Sequence, residues 1–555
     1  MSSFFQQGPV LDGDLLADRA LADYLQLRLP VDCKSRWEPG LRQLWRRARD
    51  EMPTLAAEAE RDPPEHVPYD PWGRRIDRIR VSEAWRQLEA IAAEEGVVAT
   101  AFERADGAWS RVHQFLRLYL YHPSSAIASC PMAMTDGAAR VIELYGDGDL
   151  RERVLPRLLS CEPESFWTAG QWMTERSGGS DVSRSETVAL PEEQGYRLHG
   201  VKWFTSATTS QVAMTLARVK ERGGEDEKLS LFFVELRDAD GALRNIQVNR
   251  LKDKLGTRAL PTAELTLAGT PARMVGERGR GVATISSILN ITRLYNACCA
   301  AGYIGRGLML ATDYARKRQA FGRALIDQPL HRETLADLTV EHQAAFQLVF
   351  EAARLLGRDE CGAISEDEAA VLRLLTPVVK LYTGKQAVAA CSEVLEAFGG
   401  AGYVEDTGLP SLLRDAQVLS IWEGTTNVLS LDLLRAMGDG EAWQTFTGFW
   451  QARLSALGAG DESLNALADE LEALARWPQA LLAEGEARLQ ANARQLAYRI
   501  ARLVAGILLA EQARAGDEGP ARSRREAIAG RWIRQHVMRG PAGYPADEAE
   551  RILSL

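Results

Sequence analysis

The feature that most constrains this chain of 555 residues is a hydrophobic period that changes twice along its length. From about residue 14 to 160 apolar residues recur every three or four positions. Ala84-Trp85-Arg86-Gln87-Leu88-Glu89-Ala90-Ile91 is an example, and the spacing is that of helices with one face in a core. Between roughly 166 and 275 the period becomes two. Tyr196-Arg197-Leu198-His199-Gly200-Val201 and Leu229-Ser230-Leu231-Phe232-Phe233-Val234 read as strands, and Glu221-Arg222-Gly223-Gly224 reads as a turn. From about 279 the helical period returns and runs to about 437. A last stretch to 555, rich in Ala, Leu, Arg and Glu, is helical too, with breaks near Gly458-Ala459-Gly460 and from Gly516 to Pro520. Helices, then a small antiparallel sheet unit, then helices predict a mostly α chain with a middle β domain. The boundaries fall at 1–165 for an N-terminal helical domain with an N-terminal extension, 166–275 for the middle β domain, 276–437 for a C-terminal helical bundle and 438–555 for a helical C-terminal extension.

Composition excludes several classes. The seven cysteines, at 33, 130, 161, 298, 299, 361 and 391, form no Cys-x-x-Cys pair, and Cys298-Cys299 sits in a run that reads as buried helix. They read as small apolar thiols of a reduced compartment. The seven histidines, His66, His113, His122, His199, His331, His342 and His536, show no metal-ligand spacing, so no metal site is expected. A net charge of −10 argues against a protein that coats nucleic acid. The most apolar run, Ile500 to Ala510, contains Arg502 and is too short to span a bilayer. Met1 to Gln7 lacks a basic region followed by an apolar stretch, so a cytoplasmic chain without membrane span is expected.

Four segments carry residue types suited to chemistry. In Gln171-Trp172-Met173-Thr174-Glu175-Arg176-Ser177-Gly178-Gly179-Ser180-Asp181 the glycines let backbone approach a ligand and the hydroxyls offer donors, as in a loop that cradles a pyrophosphate or a flavin edge. Taken alone, Gly-Gly-Ser-Asp is also an ordinary turn. Lys202-Trp203-Phe204-Thr205-Ser206 places an aromatic beside a hydroxyl at a strand end, although a strand aromatic alone is more often core. Tyr314-Ala315-Arg316-Lys317-Arg318-Gln319-Ala320-Phe321-Gly322 ends a helix with cations that suit phosphate or a solvated face. The fourth segment runs Glu396-Ala397-Phe398-Gly399-Gly400-Ala401-Gly402-Tyr403, then Leu413-Arg414-Asp415, then Ile421-Trp422-Glu423-Gly424-Thr425-Thr426-Asn427-Val428. A carboxylate set among apolar neighbours, as Glu423 is, has its pKa raised, which suits it to take a proton near neutral pH. In isolation the reading as a solvated loop acid is the favoured one.

In this order the four segments resemble the acyl-CoA dehydrogenase family. Met173-Thr174-Glu175 with Gly179-Ser180-Asp181 looks like its first signature, and Glu396-x-x-Gly399-Gly400-x-Gly402-Tyr403 like its second. Within it the chain is similar to the AidB-like, adaptive-response branch. That likeness lies in Tyr69-Asp70-Pro71-Trp72-Gly73-Arg74-Arg75, Lys202-Trp203-Phe204, Arg250-Leu251-Lys252-Asp253-Lys254-Leu255-Gly256 and Ile421-Trp422-Glu423-Gly424 followed by Asn427. The resemblance implies a helical N-terminal domain, a β-barrel-like middle domain and a C-terminal helical bundle, with FAD between them. It implies flavin contacts at Gln171, Met173, Thr174, Gly179 and Ser180. Phe204 would stack on the isoalloxazine, Ser206 would donate near N5, and Trp422, Thr425 and Asn427 would add contacts around the base. Arg318, Phe321, Glu396, Gly399 and Gly400 would hold the dinucleotide of a neighbouring subunit in a homotetramer. Ser180, Asn290, Arg293 and Gly424 fall where the family lines the acyl-CoA site, and Glu423 falls on the catalytic glutamate. Pro329 follows Gln328 where many members have an FAD-contacting glutamine. Phe204-Thr205-Ser206 replaces the commoner Trp-Ile-Thr, and the extension beyond 437 is absent from simple members.

The reaction implied is α,β-desaturation of an acyl-CoA thioester: Glu423 takes the α proton, the β hydrogen passes as hydride to flavin N5, and an electron-transfer flavoprotein receives the electrons. Two other readings compete. One is a stress-response flavoprotein that binds DNA weakly and non-specifically through Arg522, Arg524, Arg525, Arg531, Arg534 and Arg539, against which stand the acids interspersed with them, such as Glu526. The other is a long-chain acyl-CoA-binding sensor with little turnover.

Overall fold

The computed structural model describes residues 6–221, 223–438, 440–458, 461–538 and 548–554. Arg222, Ala459, Gly460 and Arg539, named above, lie outside them. The helices used below are α1 (Arg19–Leu27), α2 (Ser129–Tyr145), α3 (Gly281–Lys317), α4 (Pro329–Glu360), α5 (Glu366–Ala397), α6 (Leu409–Leu419), α7 (Thr426–Met437), α8 (Glu441–Ser455), α9 (Glu462–Ala483), α10 (Glu486–Arg514) and α11 (Pro520–His536). The strands are β1 (Glu65–Tyr69), β2 (Arg75–Arg80), β3 (Ala169–Trp172), β4 (Val188–Glu192), β5 (Gly195–Ser206), β6 (Val212–Glu221), β7 (Gly224–Glu225), β8 (Ser230–Glu235), β9 (Ile246–Leu251) and β10 (Thr262–Val275). The chain divides into two compact units, one of residues 47–105 and 116–295, the other of 1–46, 106–115 and 296–555.

The first unit contains an eight-stranded sheet. Its pairings close a circuit, β6 to β4, β4 to β5, β5 to β10, β10 to β8 and β8 back to β6, which is the topology of a barrel. The expected small antiparallel sheet needs correction, because β3 and β4 both pair with β6 in parallel. Both faces of the central strands are buried. Val212, Met214 and Leu216 of β6 join a core with Val141 and Ile142 of α2 and Ile285 and Ile288 of α3. Ala213, Ala217 and Val219 join a second core with Leu198, Phe232 and Leu265. That is why β6 and β8 read as nearly continuous apolar runs.

A second correction concerns the stretch read as uniformly helical from 14 to 160, which contains the antiparallel hairpin β1–β2. Asp70 builds its turn by accepting from the backbone N–H of Trp72 and Arg74, both at 2.9 Å. Asp77 then takes His66 Nε2 at 2.8 Å, Arg75 Nε at 2.7 Å and the Val248 N–H of β9 at 3.1 Å, fixing hairpin to sheet.

The second unit is helical. Ser365 and Glu368 form a reciprocal capping box that starts α5, and Asp461 caps α9 through the Leu464 N–H. The C-terminal extension is built into this unit by ion pairs. Glu351 of α4 is shared between Arg354 and Arg453 of α8, Arg453 also holds Glu511 of α10, and Glu511 binds Arg28 just after α1. The described part of the arginine-rich segment lies on α11 and does not form the basic surface that the DNA-binding reading requires. Arg524 pairs with Asp23, Arg525 donates to the Gln512 and Ala515 carbonyls, and Arg531, 0% exposed, pairs with Glu333 and Asp337 of α4. Arg522 and Arg534 face Glu526 and Glu548. Among the described residues no helix is long and apolar enough to cross a membrane, and no His, Cys, Asp or Glu cluster could hold a metal ion.

Candidate functional site

Each unit assembles its own set of the predicted residues. In the first, Gln171 is the last residue but one of β3, and Met173, Thr174, Gly179 and Ser180 lie in the loop after it. This loop is tied to β5 twice. The Trp203 N–H donates to the Thr174 carbonyl at 2.9 Å, and buried Lys202 Nζ donates to Glu175 Oε1 at 2.6 Å. Glu175 also accepts from Thr187 Oγ1 and the Glu186 N–H, both at 2.6 Å. Burial pushes the Glu175 carboxyl up, but Lys202 and these hydrogen bonds outweigh it and hold the pKa below the ordinary carboxylate value. Burial draws Lys202 down, against the pull of Glu175. The pair is a buried anchor beneath the loop. Gly178 serves the loop's own turn: a Cβ there would lie 2.3 Å from the Asp181 carbonyl oxygen.

Phe204 stands at the end of β5 with 48% of its surface exposed, and Ser206 Oγ lies 3.1 Å from Thr262 Oγ1. Beside them Lys252 Nζ sits 3.3 Å from the centre of the Trp203 ring and 4.6 Å from that of Phe204, and it donates to Glu264 at 2.6 Å. Asn290 and Arg293 lie on α3, Asn290 exposed and Arg293 half-buried.

In the second unit Arg318 follows α3, and its Nη1 donates to Gln6 Oε1 at 2.7 Å. Phe321 is 99% exposed at a left-handed turn. The Phe398 ring lies 4.7 Å from that of Tyr314, which brings the end of α3 near the Glu396 to Gly400 segment. Glu396, Gly399 and Gly400 are exposed. Gln328 is occupied within the chain, donating to the Ala320 carbonyl at 2.9 Å and accepting from Arg323 Nε at 3.0 Å.

Glu423 lies in the turn between α6 and α7, with Trp422 and Gly424 half-buried beside it and Thr425 as the N-cap residue of α7. Thr425 and Asn427 are exposed. Glu423 has φ 55° and Gly424 φ 106°, and Lys380 Nζ of α5 donates to the Gly424 carbonyl at 2.6 Å.

The residues present fit a flavin dinucleotide. Gln171 Oε1 is buried without a hydrogen-bond partner among the described residues, an omission that a polar ring edge would repair. Phe204 and Phe321 present aromatic faces that a planar ring system would cover. Sequence reasoning quoted Lys202 and Lys252 inside motifs without giving either a role, and did not name Lys380. Their signal was a cation inside an otherwise apolar or alternating run, as in Val378-Val379-Lys380-Leu381.

Comparison with known proteins accounts for nearly the whole chain. Residues 10–164 match the adaptive response protein AidB N-terminal domain, 170–270 the acyl-CoA dehydrogenase middle domain, 279–438 the acyl-CoA dehydrogenase C-terminal domain, and 452–545 the acyl-CoA dehydrogenase 11 C-terminal domain-like family. Acyl-CoA dehydrogenase family member 11 of Caenorhabditis elegans is 45% identical over 92% of this chain and 86% of its own. The putative acyl-CoA dehydrogenase AidB of Escherichia coli is 33% identical over 68% of this chain and 69% of its own. The crystal structure of Caenorhabditis elegans ACDH-11 in complex with C11-CoA superposes with a TM-score of 0.91 at 42% identity, covering 100% of this chain and 96% of that one. The chain therefore belongs to the acyl-CoA dehydrogenase family, FAD-dependent oxidoreductases acting on CH–CH groups, and within it carries the AidB-type N-terminal domain.

Proposed function

We propose that this protein desaturates an acyl-CoA between its α and β carbons, with Glu423 as the base. The observation that carries the reading is the place of Glu423 in a left-handed turn, where a buried lysine holds the next residue's carbonyl and a helix begins three residues on at Thr426. A carboxylate held in one place can meet a weakly acidic α C–H in a productive geometry, where a mobile one would rarely do so. FAD, when bound, accepts the β hydrogen and its electron pair. Gln171, Met173, Thr174, Gly179, Ser180, Phe204, Ser206, Trp422, Thr425 and Asn427 would hold it. Ser180, Asn290, Arg293 and Gly424 would contact the acyl-CoA. Arg318, Phe321, Glu396, Gly399 and Gly400 would reach the dinucleotide of a second copy in a homotetramer, and an electron-transfer flavoprotein would reoxidise the enzyme, in the cytoplasm.

The structural relative bound to C11-CoA supports acyl-CoA as ligand. The DNA-binding reading loses its main support, since Arg522, Arg524, Arg525, Arg531 and Arg534 are engaged by acids or carbonyls of the same chain. The test is Glu423→Gln, which keeps size and removes the proton acceptor. The variant is expected to bind FAD and perturb its spectrum with acyl-CoA, yet reduce it at least ~10²–10⁴-fold more slowly. Reduction at the wild-type rate would assign the base elsewhere.

A further inference from the structure

An ammonium removed from water is strongly disfavoured unless strong partners offset the loss of hydration. Lys380 stands in the middle of α5 among buried Val378, Val379 and Leu381, and is itself 0% exposed. A charge at such a position calls for a purpose. Its Nζ donates to the Gly424 carbonyl at 2.6 Å, a charge-assisted bond to the residue after Glu423.

That carbonyl belongs to a strained piece of backbone. Glu423 at φ 55° is a non-glycine residue in the left-handed region, and Gly424 follows at φ 106°. Such a conformation is disfavoured for a residue with a side chain and persists where the surroundings over-determine it. One helical turn along α5 from Lys380, a Cβ on Gly384 would lie 2.7 Å from the Leu419 carbonyl oxygen, so α6 ends in direct contact with that glycine. The Ile421 and Trp422 N–H groups both donate to the Val418 carbonyl, at 2.8 and 2.9 Å. One face of α5 thus grips the chain on both sides of Glu423, through close packing at residue 419 and through the ammonium at residue 424.

We propose that Lys380 is a positioning residue for Glu423: its ammonium, bonded to the Gly424 carbonyl, holds the left-handed turn that aims the carboxylate. This inference rests on Glu423 being the base. Lys380 acts through the backbone carbonyl of the residue that follows Glu423.

The test uses flavin-loaded protein and C11-CoA. Lys380→Met, of similar length but without charge or donor, is made in the wild-type and Glu423→Gln backgrounds, with anaerobic stopped-flow flavin reduction, FAD content and acyl-CoA affinity as readouts. In the wild-type background Lys380→Met is expected to keep FAD and C11-CoA affinity while slowing reduction about 10²-fold, the scale of a 1 Å misplacement. In the Glu423→Gln background the same change is expected to slow reduction by less than about twofold, because the group it positions is already gone. Should Lys380→Met not retain flavin, Lys380→Gln, which keeps a donor, is put through the same cycle. Wild-type reduction by Lys380→Met, with Glu423→Gln slow, would overturn the inference and leave the base in place. Equal slowing in both backgrounds would also overturn it, making the lysine a general structural element. Wild-type reduction by Glu423→Gln alone would instead overturn the assignment of the base.

Discussion

At the scale of single residues the account turns on charges that the fold has buried. Lys202 and Glu175 form an ion pair with side chains 0% and 3% exposed beneath the flavin-loop candidate. Removing one partner leaves the other as an uncompensated buried charge, so Lys202→Met is expected to destabilise the protein by about 3–5 kcal/mol. Replacing both, as in Lys202→Met with Glu175→Gln, is expected to recover most of that loss. Urea unfolding of the three proteins checks it, and a single variant as stable as wild type would show that the pair anchors nothing. The residues around it separate what sequence discloses from what it conceals. Glu423, Phe204 and the Met173–Ser180 loop become candidates from sequence because their spacing forms a motif. Lys202, Lys252 and Lys380 do not, because a cation's role depends on which carboxylate, ring or carbonyl the fold brings to it.

At the scale of elements, the extension is fixed to the helical unit through Glu351, and its electrostatics predict a pH dependence. Burial pushes Glu351 up, but Arg453 and Arg354 overcome this and lower it from the ordinary 4.5 to about 2. A carboxyl depressed in the folded state contributes stability that is present above its unfolded pKa and is lost as pH falls towards the folded one. Stability is therefore expected to decline between about pH 4.5 and 2, by roughly 3 kcal/mol from this group. Glu351→Gln is expected to be less stable at neutral pH and to show a flatter acid limb in denaturation curves. An acid limb unchanged by the substitution would remove Glu351 from the explanation. The helices of this unit were legible from their period. The hairpin β1–β2 was not, because its turn depends on Asp70 and its anchoring on Asp77, local polar bonds that leave no periodic trace. Nor was the mixed pairing of β6, since strands buried on both faces lose the alternation that would distinguish them.

At the scale of the whole molecule, the exposed ring of Phe321 and the exposed Glu396, Gly399 and Gly400 accord with a site completed by a second copy. Arg318→Ala is expected to weaken FAD retention and assembly together, because ligand and oligomer stabilise each other by mass action. Light scattering on flavin-saturated protein reads both, and a stable, saturated monomer would contradict the tetramer. Fold class was legible at this scale from the two changes of hydrophobic period, whereas the role of the arginine-rich segment was not. Its charge suggested a surface, while Arg524 and Arg531 are buried against acids from α1 and α4. The measurement that tests the central claim most directly is anaerobic titration of the flavin-loaded protein with acyl-CoAs from short to very long chain. The account predicts that at least one of them bleaches the flavin and yields the corresponding 2-enoyl-CoA in equal amount. Binding of acyl-CoA with no bleaching at any chain length would contradict it, and would leave a protein that holds acyl-CoA without oxidising it.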